Sequence, residues 1–276
     1  MKLTTLITGC TSGIGLHLAK EFAKNGHDLV LVAPDAAELD SLAKQLGKEH
    51  KVRCHAVPVD LEKCDAVKLV LGSLADNGLD IGILVNNAGH GFRGPFAELP
   101  SEQIHSMIDL NIRAVVDLTQ ALLPAMIARG QGGILNTASV AGFEPGPTMA
   151  VYHATKAFVL SWSEAIAIEL KDAGITVTAL CPGATDTDFF PKAGMEDVFA
   201  FQKGNLMAPQ DVAKAGYEGL MAGDLFTVPG AINKILTFGR RILPESTQAE
   251  MNRKQYEKVP PEDIKRHRGD MENARE

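Results

Sequence analysis

Thr8-Gly9-Cys10-Thr11-Ser12-Gly13-Ile14-Gly15 is the stretch on which the fold turns. The apolar run before it, residues 3–7, has the length of a strand, and the pattern after it, residues 16–24, has the period of a helix. A turn between strand and helix exposes the unpaired N–H groups and the positive dipole end of that helix. Such a turn suits phosphate, and glycines let the backbone come close to it. The spacing here is Gly-x3-Gly-x-Gly, which differs from the Gly-x-Gly-x-x-Gly dinucleotide fingerprint. Alone, the loop leaves a purely structural turn open.

Outward from the loop, short apolar runs alternate with amphipathic ones. Strands are predicted at 3–8, 28–33, 52–57, 81–86, 133–139, 176–181 and 225–228. Helices are predicted at 36–46, 64–75, 101–128 and 150–172. Strands that are apolar throughout are expected where helices cover both sheet faces. The expected fold is therefore α/β, a doubly wound, Rossmann-like parallel sheet of about seven strands with helices on both faces. Such sheets bind ligands beyond the carboxyl ends of their strands. One catalytic domain is expected over residues 1–245. It is followed by an extension at 246–276, whose acidic and basic residues balance and which reads as a solvated helix or frayed tail.

Composition narrows the function. The 276 residues carry a net charge of −7 with no basic block, which argues against nucleic acid as a partner. Cys10, Cys54, Cys64 and Cys181 form no CxxC pair and no metal-ligand spacing, so no metal site is expected and a reducing compartment is. No apolar run approaches the roughly 18 residues that span a bilayer, and the N-terminus leads straight into a strand. The expectation is a cytoplasmic protein without membrane contact.

The strand ends carry the chemistry. Asp60-Leu61 follow the third strand and Asn86-Asn87-Ala88-Gly89 the fourth; Asn111 lies in the long helix; Ser139 ends the fifth strand; Tyr152 and Lys156 follow; Pro182-Gly183 end the sixth, with Thr185 and Thr187 just beyond. Tyr152 and Lys156, four apart, share one helix face. A free tyrosine has a pKa of about 10. A neighbouring ammonium favours the phenolate, so Lys156 is expected to lower that value. Tyr152 then exchanges a proton with a carbonyl or alcohol oxygen, which Ser139 orients.

These motifs, in this order and spacing, resemble the short-chain dehydrogenase/reductase family in its compact single-domain form. Its Thr-Gly-x3-Gly-x-Gly loop corresponds to Thr8, Gly9, Gly13 and Gly15, and the likeness covers roughly residues 1–230. The resemblance implies an oxidoreductase moving a hydride between NAD(H) or NADP(H) and a carbonyl or secondary alcohol. Its catalytic set would be Asn111, Ser139, Tyr152 and Lys156, with Lys156 also anchoring the nicotinamide ribose and Asn111 supporting a water path to it. Cofactor contacts would come from Gly9, Thr11, Ser12, Gly13, Ile14, Gly15, Asp35, Asp60, Leu61, Asn87, Ala88, Gly89, Tyr152, Lys156, Pro182, Gly183, Thr185 and Thr187. A homodimer or homotetramer formed through the two long helices is implied as well. Rival readings are an idle nucleotide-binding scaffold and an epimerase or dehydratase, though the latter usually carry a second domain.

One place departs from the pattern. The second strand ends Ala33-Pro34-Asp35, without the Asp usual for NAD or the Arg usual for NADP. With no cation for a 2′-phosphate, the reading leans to NAD(H). Asp35 and Asp60 can equally serve as helix caps. Residues 184–207 are rich in Phe, Met and Leu and read either as an apolar lid over an apolar substrate or as self-packing. His90, Phe92, Phe143, Glu144 and His153 are pocket candidates. Ile232, Ile235, Leu236, Gly239, Ile242 and Leu243, with Lys234, Arg240 and Arg241 between, read as core or subunit interface rather than membrane surface.

Overall fold

The computed structural model describes residues 3–239 and 243–274. Its frame is a seven-stranded parallel sheet: β1 (Thr4–Thr8), β2 (Leu29–Ala33), β3 (Cys54–Pro58), β4 (Ile81–Asn86), β5 (Gly132–Thr137), β6 (Ile175–Leu180) and β7 (Phe226–Thr227). The spatial order is β3-β2-β1-β4-β5-β6-β7. The order reverses between β1 and β4, which opens the ligand crevice at their carboxyl ends.

Strand side chains alternate between two cores, as a period of two requires. Leu6, Val30, Leu84 and Ile134 face one side, against α3 (Ala66–Asp76) and α5 (Ala114–Arg129). Ile7, Leu31, Val85 and Leu135 face the other, against α1 (Gly13–Lys24), α2 (Ala36–His50) and α9 (Pro209–Ala222). Each fully buried Leu, Ile or Val contributes about 1.5–3 kcal/mol of transfer free energy.

The helix expected at 101–128 is α4 (Ser101–Ile108), a π turn (Asp109–Arg113) and α5, continuous in direction. Residues 101–129 are together long and apolar enough to cross a membrane by length and composition, which corrects the expectation that nothing in the chain is. Within the fold, Ala114, Leu118, Leu122 and Met126 of this helix are spent on the sheet. α6 (Ala150–Leu170) packs beside it.

Past β6 come α7 (Phe189–Lys192) and α8 (Phe199–Gln202), and past β7 come α10 (Ala231–Gly239), α11 (Glu245–Gln255) and α12 (Asp270–Asn273). Ile232, Ile235 and Leu236 of α10 are exposed at the mouth of the crevice, so their stripe is not core. Arg240, Arg241 and Ile242 of that stripe lie outside the described residues. The C-terminal segment is not a solvated tail. It packs back over residues 184–207: Arg266 bonds the Phe201 and Gly204 carbonyls, and Gln202 bonds Lys265 and Arg266.

Candidate active site

The glycine loop is shaped by contacts that leave no room for side chains. Gly9 has a φ of 64°, and a Cβ on it would come 2.8 Å from the Ala88 Cα. A Cβ on Gly15 would overlap the Gly9 carbonyl oxygen. The end of β4 is riveted to this loop. Thr8 Oγ1 accepts from the backbone N–H groups of Asn87 and Ala88, each at 3.0 Å, and Asn87 Nδ2 donates to the Thr8 and Gly9 carbonyls, each at 3.1 Å. Asn86 points the other way, into a buried chain through Thr119, Asn136 and Ser163 that ties the sheet to α6. Ser12 caps α1 with its backbone alone. Its side chain therefore takes none of the N–H groups that a pyrophosphate would need, and the loop fits a dinucleotide.

From this loop a cleft of about 950 Å³ runs to Ser139, Tyr152 and Lys156. Ser139 caps a short 3₁₀ turn, its Oγ accepting from Ala141 N at 3.1 Å. Lys156 Nζ donates to the Thr137 carbonyl at 2.8 Å and stands 5.8 Å from the Tyr152 ring centroid. Asn111 lies in the π turn, where Nδ2 donates to His90 O at 2.9 Å and to Thr155 Oγ1 at 3.1 Å. Gly89 separates Asn111 from Lys156: a Cβ there would stand 3.0 Å from Asn111 Oδ1 and 3.3 Å from Lys156 Nζ.

The electrostatics differ from the expectation at one point. Burial pushes the Tyr152 phenol up to about 12, and the group that pulls it partly back is Ser139, not Lys156. Burial also brings the Lys156 ammonium down to about 8. Desolvation dominates at the phenol, and Lys156 donates to the Thr137 carbonyl rather than to Tyr152.

The short chain dehydrogenase family model matches residues 3–197. The chain belongs to the short-chain dehydrogenase/reductase family. A very-long-chain 3-oxoacyl-CoA reductase-A from Danio rerio is 32% identical over 247 residues, covering 86% of this chain and 77% of that protein. Of the human very-long-chain 3-oxoacyl-CoA reductase the chain spans only 57%. A short-chain dehydrogenase from Sphingobium yanoikuyae in complex with NADPH superposes with a TM-score of 0.78 at 38% identity, over 87% of this chain and 94% of that one. A 3-ketoacyl-(acyl-carrier-protein) reductase from Brucella melitensis complexed with NADH gives 0.72 at 33% identity, over 83% and 96%. The protein is an oxidoreductase that uses NAD(P)(H).

In this short-chain dehydrogenase/reductase every expected cofactor-contact residue borders the cleft, from Thr11 and Ile14 in the loop to Pro182, Gly183, Thr185 and Thr187 beyond β6. Asn111 does not border it; it is buried behind Gly89. Asp35 and Asp60 border the cleft; Asp35 also caps α2, whereas Asp60 closes a turn ahead of α3, whose N-cap position is Asp65, so the expected capping role of Asp60 is not found. Asp35 Oδ1 accepts from Glu38 N at 2.9 Å and Asp60 Oδ1 from Glu62 N at 3.0 Å. The lid divides its apolar residues. Val198 and Phe201 are spent on a buried cluster; Met149, Phe190 and Met195 belong to that cluster and also line the cleft, as do Phe189 and Phe199. Tyr256 and its neighbours on the C-terminal segment line the cleft as well, and the sequence reading missed them. Nothing in their local pattern signals it, because the contact closes over more than a hundred residues of chain.

Proposed function

We propose that Tyr152 transfers the proton in the interconversion of an apolar ketone and its secondary alcohol. The observation that carries this is the convergence of Ser139, Tyr152 and Lys156 on the end of the cleft opposite the glycine loop. When bound, a nicotinamide cofactor supplies or accepts the hydride. The chain's own residues handle the oxygen. With its pKa near 12, Tyr152 is a neutral phenol at pH 7 and gives a proton to a developing alkoxide. Ser139 donates a hydrogen bond to the same oxygen. Lys156, with a pKa of about 8, is still mostly cationic at pH 7 and offers its charge to the ribose side of the site. Asn111 fixes the backbone at His90 and the first turn of α6 through Thr155. Phe189, Met195 and Phe199 exclude water around the reacting carbon and favour an apolar substrate, in line with the acyl substrates in the relatives' names.

Replacing Tyr152 by Phe tests the assignment. It is expected to lower kcat/KM by about 3–4 kcal/mol, or two to three orders of magnitude, with cofactor affinity nearly unchanged. Activity within tenfold of wild type would overturn the role.

The cofactor reading remains NAD(H). Asp35, Glu38 and Asp60 border the adenosine end of the cleft, and among the described residues the lysines and arginines bordering the cleft, Lys156 and Lys192, come from α6 and the lid. A homo-oligomer in the cytoplasm completes the proposal. The outer face of α6 carries Ala154, Ala157, Phe158, Ala165 and Ile168 in the open, a face too apolar to be left to water. All four cysteines are free thiols, as a reducing compartment would keep them. Sedimentation velocity and cell fractionation test these two points; a monomer or a secreted protein would refute them.

A further inference from the structure

The family match ends at residue 197, yet the wall of the cleft continues in the C-terminal segment, where Met251, Asn252 and Tyr256 border it. Tyr256 is fastened to the catalytic helix. Its hydroxyl lies 2.7 Å from Nε2 of His153, the residue after Tyr152, and the two rings meet edge to face with centroids 5.7 Å apart. His153 Nδ1 lies 2.8 Å from the Glu144 carbonyl. A carbonyl only accepts, so in the neutral ring Nδ1 carries the proton and Nε2 accepts from the Tyr256 hydroxyl. At its other end, the Tyr256 carbonyl accepts from Arg93 Nε at 3.0 Å. One turn earlier, Asn252 Nδ2 donates to Pro145 O at 2.9 Å. The segment is thereby pinned to the loop after β4 and to the loop after β5, on the two rims of the cleft. The Tyr256 ring packs in the same apolar cluster as Tyr152 and Phe189.

We infer that Tyr256 is a specificity-determining residue. Its ring, held at both ends, is a rigid wall that limits how bulky a group the ketone carries beside the carbonyl. The inference rests on the reading of Tyr152 above, because that reading places the carbonyl at this end of the cleft. His153 acts through Tyr256 and is a positioning residue.

The test compares wild type with Tyr256→Ala, Tyr256→Leu and Tyr256→Phe on a graded series of small to bulky aryl and alkyl ketones. Tyr256→Ala is expected to raise the ratio of kcat/KM for bulky over small ketones by about tenfold or more, since pocket volume is read in steps of this size. Tyr256→Leu, which keeps more of the volume should the alanine variant fold poorly, is expected to fall between. Tyr256→Phe, which keeps the ring but loses the hydroxyl's tie to His153, is expected to raise the ratio by less than Tyr256→Leu, about twofold to threefold, and cofactor affinity is expected to stay within about twofold in all three variants. A ratio unmoved in both Tyr256→Ala and Tyr256→Leu overturns the inference. A second arm measures ketone dissociation constants beside reduced cofactor in a Tyr152→Phe background, with and without Tyr256→Ala. The same change of rank is expected in binding, and its absence overturns the inference whatever Tyr152 does. Turnover surviving in Tyr152→Phe alone overturns only the earlier reading.

Discussion

Asp35 borders the glycine-loop end of the cleft with a carboxylate, and the same carboxylate caps α2. The two tasks are separable by mutation, because serine caps a helix about as well as aspartate. Asp35→Ser is therefore expected to keep thermal stability while removing a charge that would repel a 2′-phosphate. A carboxylate about 4 Å from a phosphate costs on the order of 1–4 kcal/mol near a protein surface, so the NADPH-to-NADH ratio of kcat/KM should rise by about tenfold or more. An unchanged ratio would mean that Asp35 faces solvent and only caps. At this scale the sequence was readable wherever chemistry depends on spacing. Tyr152 and Lys156 are four apart on a helix, and Ser139 follows a strand, so their meeting could be foreseen. What could not be foreseen depends on burial. Lys156 was expected to lower the Tyr152 pKa, but the depth of the site sets both values and leaves the phenol the weaker acid. The pairing of His153 with Tyr256 spans 103 positions and has no local trace.

The elements divide in the same way. The strands were legible because residues apolar at every position must be buried on both faces, and the two cores bear that out. The π turn at Asp109–Arg113 was not, since no residue type announces an extra residue in a helix. Yet that turn carries Asn111 to the His90 carbonyl and to Thr155. The outer face of α6 yields a prediction of its own. Ile168 is 70% exposed and stands on the same face as Phe158, whose ring stacks on Trp162 at 15°. If this face joins two subunits, Ile168→Glu buries a charge in an apolar contact and weakens the oligomer by about 2–4 kcal/mol. Sedimentation velocity should show monomer at concentrations where wild type is assembled. An unaltered sedimentation profile would move the interface elsewhere.

On the scale of the whole molecule, the C-terminal segment joins parts that the sequence reading kept apart. Its balanced charges suggested solvation, but they are matched by partners on the lid: Lys258 with Asp197, Lys203 with Asp263, and Arg268 with Asp188. Asp186 is the knot. It is fully buried just past β6 and accepts from Gly269 N at 2.9 Å and Met271 N at 2.7 Å, with Arg268 3.7 Å away. Glu272 carries the connection on to α1 through His17 at 2.8 Å. The lid, the C-terminal segment and the helix that follows the glycine loop are thus fastened together. Burial raises the Glu272 pKa, but His17 and Arg268 outweigh it and hold the carboxyl below its ordinary value. A group with a lowered folded pKa stabilises fully above its unfolded value and loses that contribution as pH falls through the folded one. Acid should therefore weaken the tie of Glu272 to His17 and Arg268 beside the knot. Asp186→Asn should loosen the knot itself at neutral pH, because Arg268 loses a buried counter-charge and one amide oxygen replaces two carboxylate acceptors. The expected cost is about 3 kcal/mol in denaturant unfolding, with faster limited proteolysis beyond residue 243 and a lowered KM for bulky ketones. If instead the segment is cut no faster and KM stays put, the closing of the cleft does not depend on Asp186, and the wall that holds Tyr256 is fastened by the His153, Arg93 and Pro145 contacts alone.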